Sequence, residues 1–317
     1  MPVEDVTPPH ELKLKSNSAP PAGEVSGRDA KTALDPAAYD LWIEAGHTEK
    51  HYWLDLWRFR ELLFILAWRD LAVRYKQTVA GVAWALLQPL ASMLIMVLIF
   101  GKVAGFSGLP ANSHAPYAIV VFAAMLPWNF FSAAMSRAGE SIVGNANMIS
   151  KIYFPRVIIP ASSVIVSVVD FLISLGILAG LMAWYDFWPT SRVWALPVFT
   201  AMAGLASMGF GLFITALTVR YRDLRFVVPF IVQFGMWISP VAYPIEVVRE
   251  KLGEAWFALY ALNPLVGIIE GFRWAIVGGD TRLSWLNLLL SLVVSSAVFA
   301  GGVQFFRKTE RRFADII

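Results

Sequence analysis

The chain has 317 residues, of which 57% are hydrophobic and only 15% charged, with a mean hydropathy of +0.59. A water-soluble domain carries about 25% charged residues, so the composition excludes a soluble globular protein and puts the chain in a bilayer. The net charge is +3, but the basic residues are dealt out between apolar runs rather than gathered in a patch, which speaks against a nucleic-acid partner, and with no cysteine there are no disulfides.

Residues 1–48 include Pro2, Pro8, Pro9, Pro20 and Pro21 and have no apolar stretch of the kind a secretory signal needs. They cannot bury enough apolar surface to order themselves and are predicted to be a flexible tail. Residues 53–78 mix aromatics and leucines with Arg58, Arg60, Arg69, Asp70, Arg74 and Lys76. That mixture suits a helix lying on a membrane surface, with Asp70 and Arg74 as an i,i+4 pair; a helix buried against protein ahead of the first span is the other reading.

A hydrocarbon core of about 30 Å takes roughly 20 apolar residues per helical crossing. Six runs qualify: Val79–Val103, Tyr117–Met135, Val157–Trp184, Trp194–Val219, Phe226–Ile245 and Ser284–Phe306. Continuous runs exclude a β-barrel, whose strands alternate. The predicted fold is therefore an all-α integral membrane bundle. Pro89, Pro127, Pro160, Pro229 and Pro240 fall in these runs and are candidate kinks. Ala203, Ser207 and Gly211 form a small-residue track suited to close packing, inside one subunit or between two.

Between the second and third runs, residues 137–156 are too long for a bare turn, and a short helix below the membrane is predicted there. Residues 246–276 are largely apolar but come in two pieces, each too short to cross. Asn263-Pro264 is an N-cap followed by a first-turn proline, so the second piece starts there. Two short helices dipping into the leaflet are predicted. Lysines and arginines crowd the connections before the first run, after the second (Arg137, Lys151, Arg156), after the fourth (Arg220, Arg222, Arg225) and after the last (Arg307, Lys308, Arg311, Arg312). By the positive-inside rule both termini are cytoplasmic.

Asp170 is the only acidic residue deep inside a run. Ser163, Ser167 and Ser174 share its helix face. The stripe must face protein or water. It suits interhelical hydrogen bonding, the lining of a translocation path, or a proton relay, although no second carboxylate or histidine in the runs partners it. Trp184, Trp188, Trp194 and Trp285 fall at run ends as interface anchors. Trp84, Trp128, Phe130, Phe131 and Trp237 lie within runs, as packing residues or as the apolar wall of a conduit. The chain has no phosphate-binding G-x-x-x-x-G-K-[ST] loop, no metal-ligand spacing and no nucleophile elbow. It is not expected to be an enzyme or to bind a cofactor or metal.

Four segments resemble ABC-2-type polysaccharide export permeases. These are Arg69-Asp70-Leu71-Ala72-Val73-Arg74-Tyr75-Lys76-Gln77-Thr78 with Gly81, Trp84 and Gln88-Pro89-Leu90; Lys151-Ile152-Tyr153-Phe154-Pro155-Arg156; Arg220-Tyr221-Arg222-Asp223-Leu224; and Leu262-Asn263-Pro264-Leu265 with Glu270 and Phe272-Arg273. Their order and spacing hold over residues 53–312. The resemblance implies a bacterial inner-membrane permease that forms a homodimer, pairs with two copies of a separate ATPase using ATP and Mg, and exports a lipid-linked glycan such as O-antigen, capsular polymer or teichoic acid. It makes 137–156 an ATPase-coupling segment with Asn145, Asn147, Lys151, Tyr153 and Arg156 as contacts. It makes 53–78 an interface helix carrying Arg69, Asp70, Arg74 and Lys76, and 246–276 an outer gate with Asn263, Pro264, Glu270 and Arg273. Trp84, Trp128, Phe130, Phe131, Asp170 and Trp237 become channel candidates. The competing readings are an exporter of small amphiphiles and a membrane-embedded glycan-modifying enzyme.

Overall fold

A computed structural model describes residues 56–76, 79–106, 115–149, 151–152, 154–278 and 283–310. The predicted tail, Tyr153 and both ends of the predicted interface helix (53–55 and 77–78) lie outside them. The described residues are helical with no strand. In order they form α1 (Arg60–Lys76), α2 (Val79–Met96, continued by a π-helical stretch Val97–Val103), α3 (Tyr117–Gly144), α4 (Ala146–Ile149) and α5 (Ile158–Trp184). After a 3-10 turn (Ser191–Ala195) come α6 (Leu196–Arg220), α7 (Leu224–Ile238), α8 (Ile245–Ala261), α9 (Pro264–Ile276) and α10 (Trp285–Glu310).

Five helical stretches are long and apolar enough to cross a membrane, and α8 with α9 form a pair bent by 103°. This is an all-α integral membrane fold. The most buried span is α3, with 83% of its apolar window covered. It packs against α5, α6 and α9, with α2 and α7 also touching it, which is why its sequence is apolar around most of its circumference, the polar positions Asn129, Ser132 and Ser136 falling on one face.

Small residues set how closely the other helices approach. A methyl group on Gly209 of α6 would lie 2.7 Å from the Phe299 backbone nitrogen, and one on Gly302 of α10 would strike the Gly209 carbonyl. Backbone therefore meets backbone here, an arrangement open only to glycine. The Ala203–Ser207–Gly211 track is fully buried inside the subunit, with Gly211 against the Ala138 side chain of α3.

Helix ends gather on two sides. On one, Arg69 of α1 donates to Asn145 at the end of α3 (2.8 Å), and the Arg156 backbone N–H ahead of α5 donates to the Glu310 carboxylate at the end of α10 (2.9 Å). This is the arginine-rich side. On the far side the Tyr117 hydroxyl at the start of α3 donates to the Ala242 carbonyl just beyond α7 (2.6 Å).

Two expectations are corrected. The fifth run, predicted as a span over Phe226–Ile245 with candidate kinks at Pro229 and Pro240, is a 15-residue helix, α7, followed by a turn over 239–244 whose first four residues are buried. Fifteen residues rise only about 22 Å, so the turn completes the passage to the far side. Pro240 is the reason: it drives Ser239 out of the helical region, to φ −82° and ψ 148°. By contrast Pro89, Pro127 and Pro229 are held inside their helices. The second correction concerns 137–156. The first part is not a connection, because α3 runs on to Gly144. Arg137 is therefore a helix residue, not a loop residue.

Irregular backbone at membrane depth needs internal partners for its polar groups, and the 239–244 turn has them. Arg273 of α9 donates to the Val241 (2.7 Å) and Tyr243 (3.1 Å) carbonyls. The Tyr243 hydroxyl covers the Trp237 and Ile238 carbonyls left open at the end of α7 (3.0 and 2.8 Å). Asn263 caps α9 by accepting from the Leu265 N–H (3.0 Å) and donates to Ser239 (3.0 Å). Glu270 accepts from Asn287 of α10 (3.0 Å). Helix α8 is itself broken at Gly253, whose φ of 75° is open to glycine at little cost.

Candidate functional site: a polar cavity inside the bundle

Asp170 is the hub of an ionic cluster that joins three helices. Its carboxylate accepts from Arg137 of α3 at 2.5 Å and from Arg74 of α1 at 3.2 Å. The Tyr75 hydroxyl of α1 also donates to it. Arg137 donates in addition to Ser167 (3.1 Å), one turn along the stripe from Asp170. The serines of the stripe each donate to their own helix: Ser163 to the Ile159 carbonyl (3.3 Å), Ser167 to the Ser163 carbonyl (3.1 Å) and Ser174 to the Asp170 carbonyl (3.0 Å). Burial first, then the bond to Asp170, push the Tyr75 phenol up to about 12, so it stays a donor at any physiological pH.

The expected Asp70–Arg74 pair does not form. Asp70 instead takes two hydrogen bonds from Arg69 (2.9 and 2.7 Å), leaving Arg74 to reach Asp170. The Asp170 carboxylate is more buried than that of Asp70 (21% against 32% exposed) and attracts the guanidinium more strongly even beside Arg137, because screening by water is weaker there.

Above this cluster lies a cavity of about 320 Å³ bounded by α2, α3, α5 and α7. Its polar wall includes Gln88 and Ser92 of α2, Asn129, Ser132 and Ser136 of α3, and Asp170 and Ser174 of α5; Phe130, Phe171 and Val232 are among its apolar lining. A second cavity of about 270 Å³ lies toward the arginine-rich side, lined by residues including Asp70, Glu140, Ser141, Asn145 and Ser163. Arg74 and Arg137 line both, so the ionic cluster is the partition between them.

The channel candidates do not converge on one surface. Phe130 and Asp170 line the larger cavity. Trp128 and Phe131 are buried packing residues, their rings 5.8 Å apart, and Trp128 presses on Gly235 of α7. Trp84 is exposed, and Trp237 lies on the far side with its ring 5.9 Å from Phe100. Among the coupling candidates, Asn145 ends α3 and ties it to α1, Asn147 and Lys151 are exposed, and Arg156 is bound to Glu310 through its backbone and its guanidinium. Lys76 is exposed at the end of α1. The gate candidates Asn263, Pro264, Glu270 and Arg273 all belong to α9 or its cap, and Asn263 and Arg273 hold the 239–244 turn.

Sequence reasoning passed over the α3 side of the cavity. Asn129, Ser132 and Ser136 stand at i, i+3 and i+7 in an otherwise apolar run, the same one-face spacing that marked the Asp170 stripe. Gln88 and Ser92 repeat it at i and i+4 on α2.

A family model described as ABC-2 type transporter matches residues 61–277. The chain belongs to the ABC-2 type transporter family. The match runs from the second residue of α1 to just past the end of α9 and includes every residue lining the two cavities. Curated relatives extend it. An O-antigen export system permease protein RfbA from Myxococcus xanthus is 26% identical over 265 residues, covering 83% of this chain and 98% of the relative. An RfbA of the same description from Klebsiella pneumoniae is 26% identical over 259 residues, covering 81% and 95%. The polysialic acid transport protein KpsM of Escherichia coli is 23% identical over 250 residues, covering 75% and 91%. This ABC-2 family chain is thus similar, over most of its length, to permease components of glycan transport systems.

Proposed function

We propose that this chain is the permease subunit of an ATP-driven exporter that moves a lipid-linked polysaccharide from the cytoplasm to the outer face of the bacterial inner membrane. The observation that carries the reading is the near full-length similarity to O-antigen and polysialic acid transport proteins. The polar cavity within an apolar bundle supports it, since a hydroxyl-rich cargo needs hydrogen-bonding surface at membrane depth. The positive-inside rule makes the arginine-rich side, and both termini, cytoplasmic. The chain works as a homodimer with two copies of a separate ATPase, which binds ATP and Mg.

On this reading the ATPase seats against α4 and the residues after it, where Lys151 and Ile152 are exposed. Movement there is passed on by two links, Arg69–Asn145 and Arg74/Tyr75–Asp170, to the walls of both cavities. Arg156 is a poor probe of docking, since it also holds α10. Lys151→Glu combined with Ile152→Glu is expected to cut export about tenfold while the protein still inserts in the membrane, the loss expected when one apolar contact and one charge contact at an interface are reversed. Surface glycan and membrane-bound permease, measured side by side, check it; normal export in the double variant removes this segment from the coupling role.

Deleting the gene tests the function as a whole. The expected result is loss of the long surface glycan and build-up of a lipid-linked polymer on the inner membrane. Unchanged surface glycan would shift the substrate to small amphiphiles. Loss of the polymer without build-up would point to a synthetic enzyme.

A further inference from the structure

We infer that the 320 Å³ cavity of each subunit holds a single uncharged sugar unit of the exported polymer, read by amides and hydroxyls rather than by ring stacking alone. The inference rests on the export reading above and adds the contact surface and the kind of group it takes.

The cavity presents polar groups that the protein leaves unused. Among the described residues, the side chains of Gln88, Ser92, Asn129 and Ser136 make no hydrogen bond, yet all four line the same space. Ser92, Asn129 and Ser136 are half-buried and Gln88 is exposed, so each is open to whatever enters the cavity, and at membrane depth lipid offers none of them a partner. Away from the ionic cluster the chemistry on offer is neutral. Arg74 and Arg137 each bind Asp170, which leaves one positive charge in excess, and Glu140 shares the neighbouring cavity with both arginines. An anionic ligand would have to compete with Asp170 for the two guanidinium groups.

The set also has the right mixture of donors and acceptors. The amides of Gln88 and Asn129 each donate and accept. Ser132 and Ser174 spend their protons on the Asn129 and Asp170 carbonyls (3.2 and 3.0 Å), so each turns only lone pairs toward the cavity. A sugar hydroxyl both donates and accepts and can pair with either type. Phe130 and Phe171, with ring centroids 5.5 Å apart, supply the apolar wall that the C–H face of a pyranose ring needs. Small-molecule sites run from about 300 to 1,000 Å³, so this cavity takes one unit, not a folded chain. The polymer would then pass as a succession of single-unit contacts, each weak enough to release.

The absence of cysteine makes the test direct. Asn129→Cys and Ser136→Cys, with Leu286→Cys on the exposed face of α10 as control, are each labelled with benzophenone maleimide and irradiated in cells making the polymer. The expected result is a glycan adduct, removable by periodate, at 129 and 136 and not at 286. In parallel, Asn129→Leu with Ser136→Ala lowers surface glycan about tenfold at unchanged permease level, as loss of two hydrogen bonds predicts. Phospholipid adducts alone would overturn the inference and make the cavity a lipid crevice. No adduct, in a strain whose gene deletion does abolish surface glycan, would overturn it while leaving the exporter reading intact. A deletion that leaves surface glycan unchanged would remove both.

Discussion

Asp170→Leu is expected to cost about 2–3 kcal/mol of stability and to abolish export. Removing one member of a buried ion pair costs roughly 3–5 kcal/mol, because the partner is left charged and unpaired. Here the figure is discounted, since the Asp170 side chain keeps 21% exposure and Arg137 25%. The substitution leaves Arg74 and Arg137 facing each other across the partition between the two cavities. Thermal unfolding in detergent, followed by size-exclusion chromatography, measures the loss. The discriminating partner is Asp170→Asn with Arg137→Gln. That pair keeps an acceptor and a donor and removes the more buried of the two guanidinium charges, leaving Arg74, whose side chain is 41% exposed; it recovers most of the stability if the unpaired, more buried Arg137 is what destabilises the single variant. Equal unfolding temperatures for wild type and Asp170→Leu would show that the cluster does not hold α1, α3 and α5 together. Tyr75→Phe removes one donor and should cost only about 0.6–1 kcal/mol, the range for one hydrogen bond in a membrane protein.

Arg273→Leu is expected to have an effect of similar size on the opposite side. It strips the donors from the Val241 and Tyr243 carbonyls, in a turn where Ser239, Val241 and Ala242 are almost fully covered. Each buried acceptor left open costs about 1–3 kcal/mol, so a loss of about 2–4 kcal/mol follows. Arg273→Lys offers one compact ammonium where two carbonyls need a fork, and should recover about half. Hydrogen exchange over 239–244 reads the event locally: faster exchange confined to the turn and the end of α7 is expected. Protection unchanged from wild type would mean that Tyr117 and Asn263 suffice to hold the turn.

Much of the architecture is legible in the residue order because a bilayer leaves few choices. Apolar runs of about 20 residues must be helices, and Asn263-Pro264 must open one. The Ser163–Ser167–Asp170–Ser174 stripe must face inward, because lipid offers no partner. The break at Pro240 was also legible as a kink, but not its consequence, a buried turn held by Arg273, Tyr117 and Asn263. Those partners lie far along the chain, and nothing local announces them.

Arg137 shows the limit most clearly. As a basic residue just past an apolar run it reads as part of a loop; in three dimensions α3 continues and delivers it to Asp170. Asp70 and Arg74 show the same limit in reverse, since correct spacing on one helix yields to a more buried partner on another. Composition and run length determined that this is a helical membrane protein, and motif order pointed to its family, because hydrophobic length and local caps are properties of neighbouring residues. Which polar side chains share a cavity, and which arginines meet the one carboxylate, was decided by the packing of α1, α2, α3, α5 and α7, since those contacts join residues from separate helices and depend on the rotation of each helix about its axis.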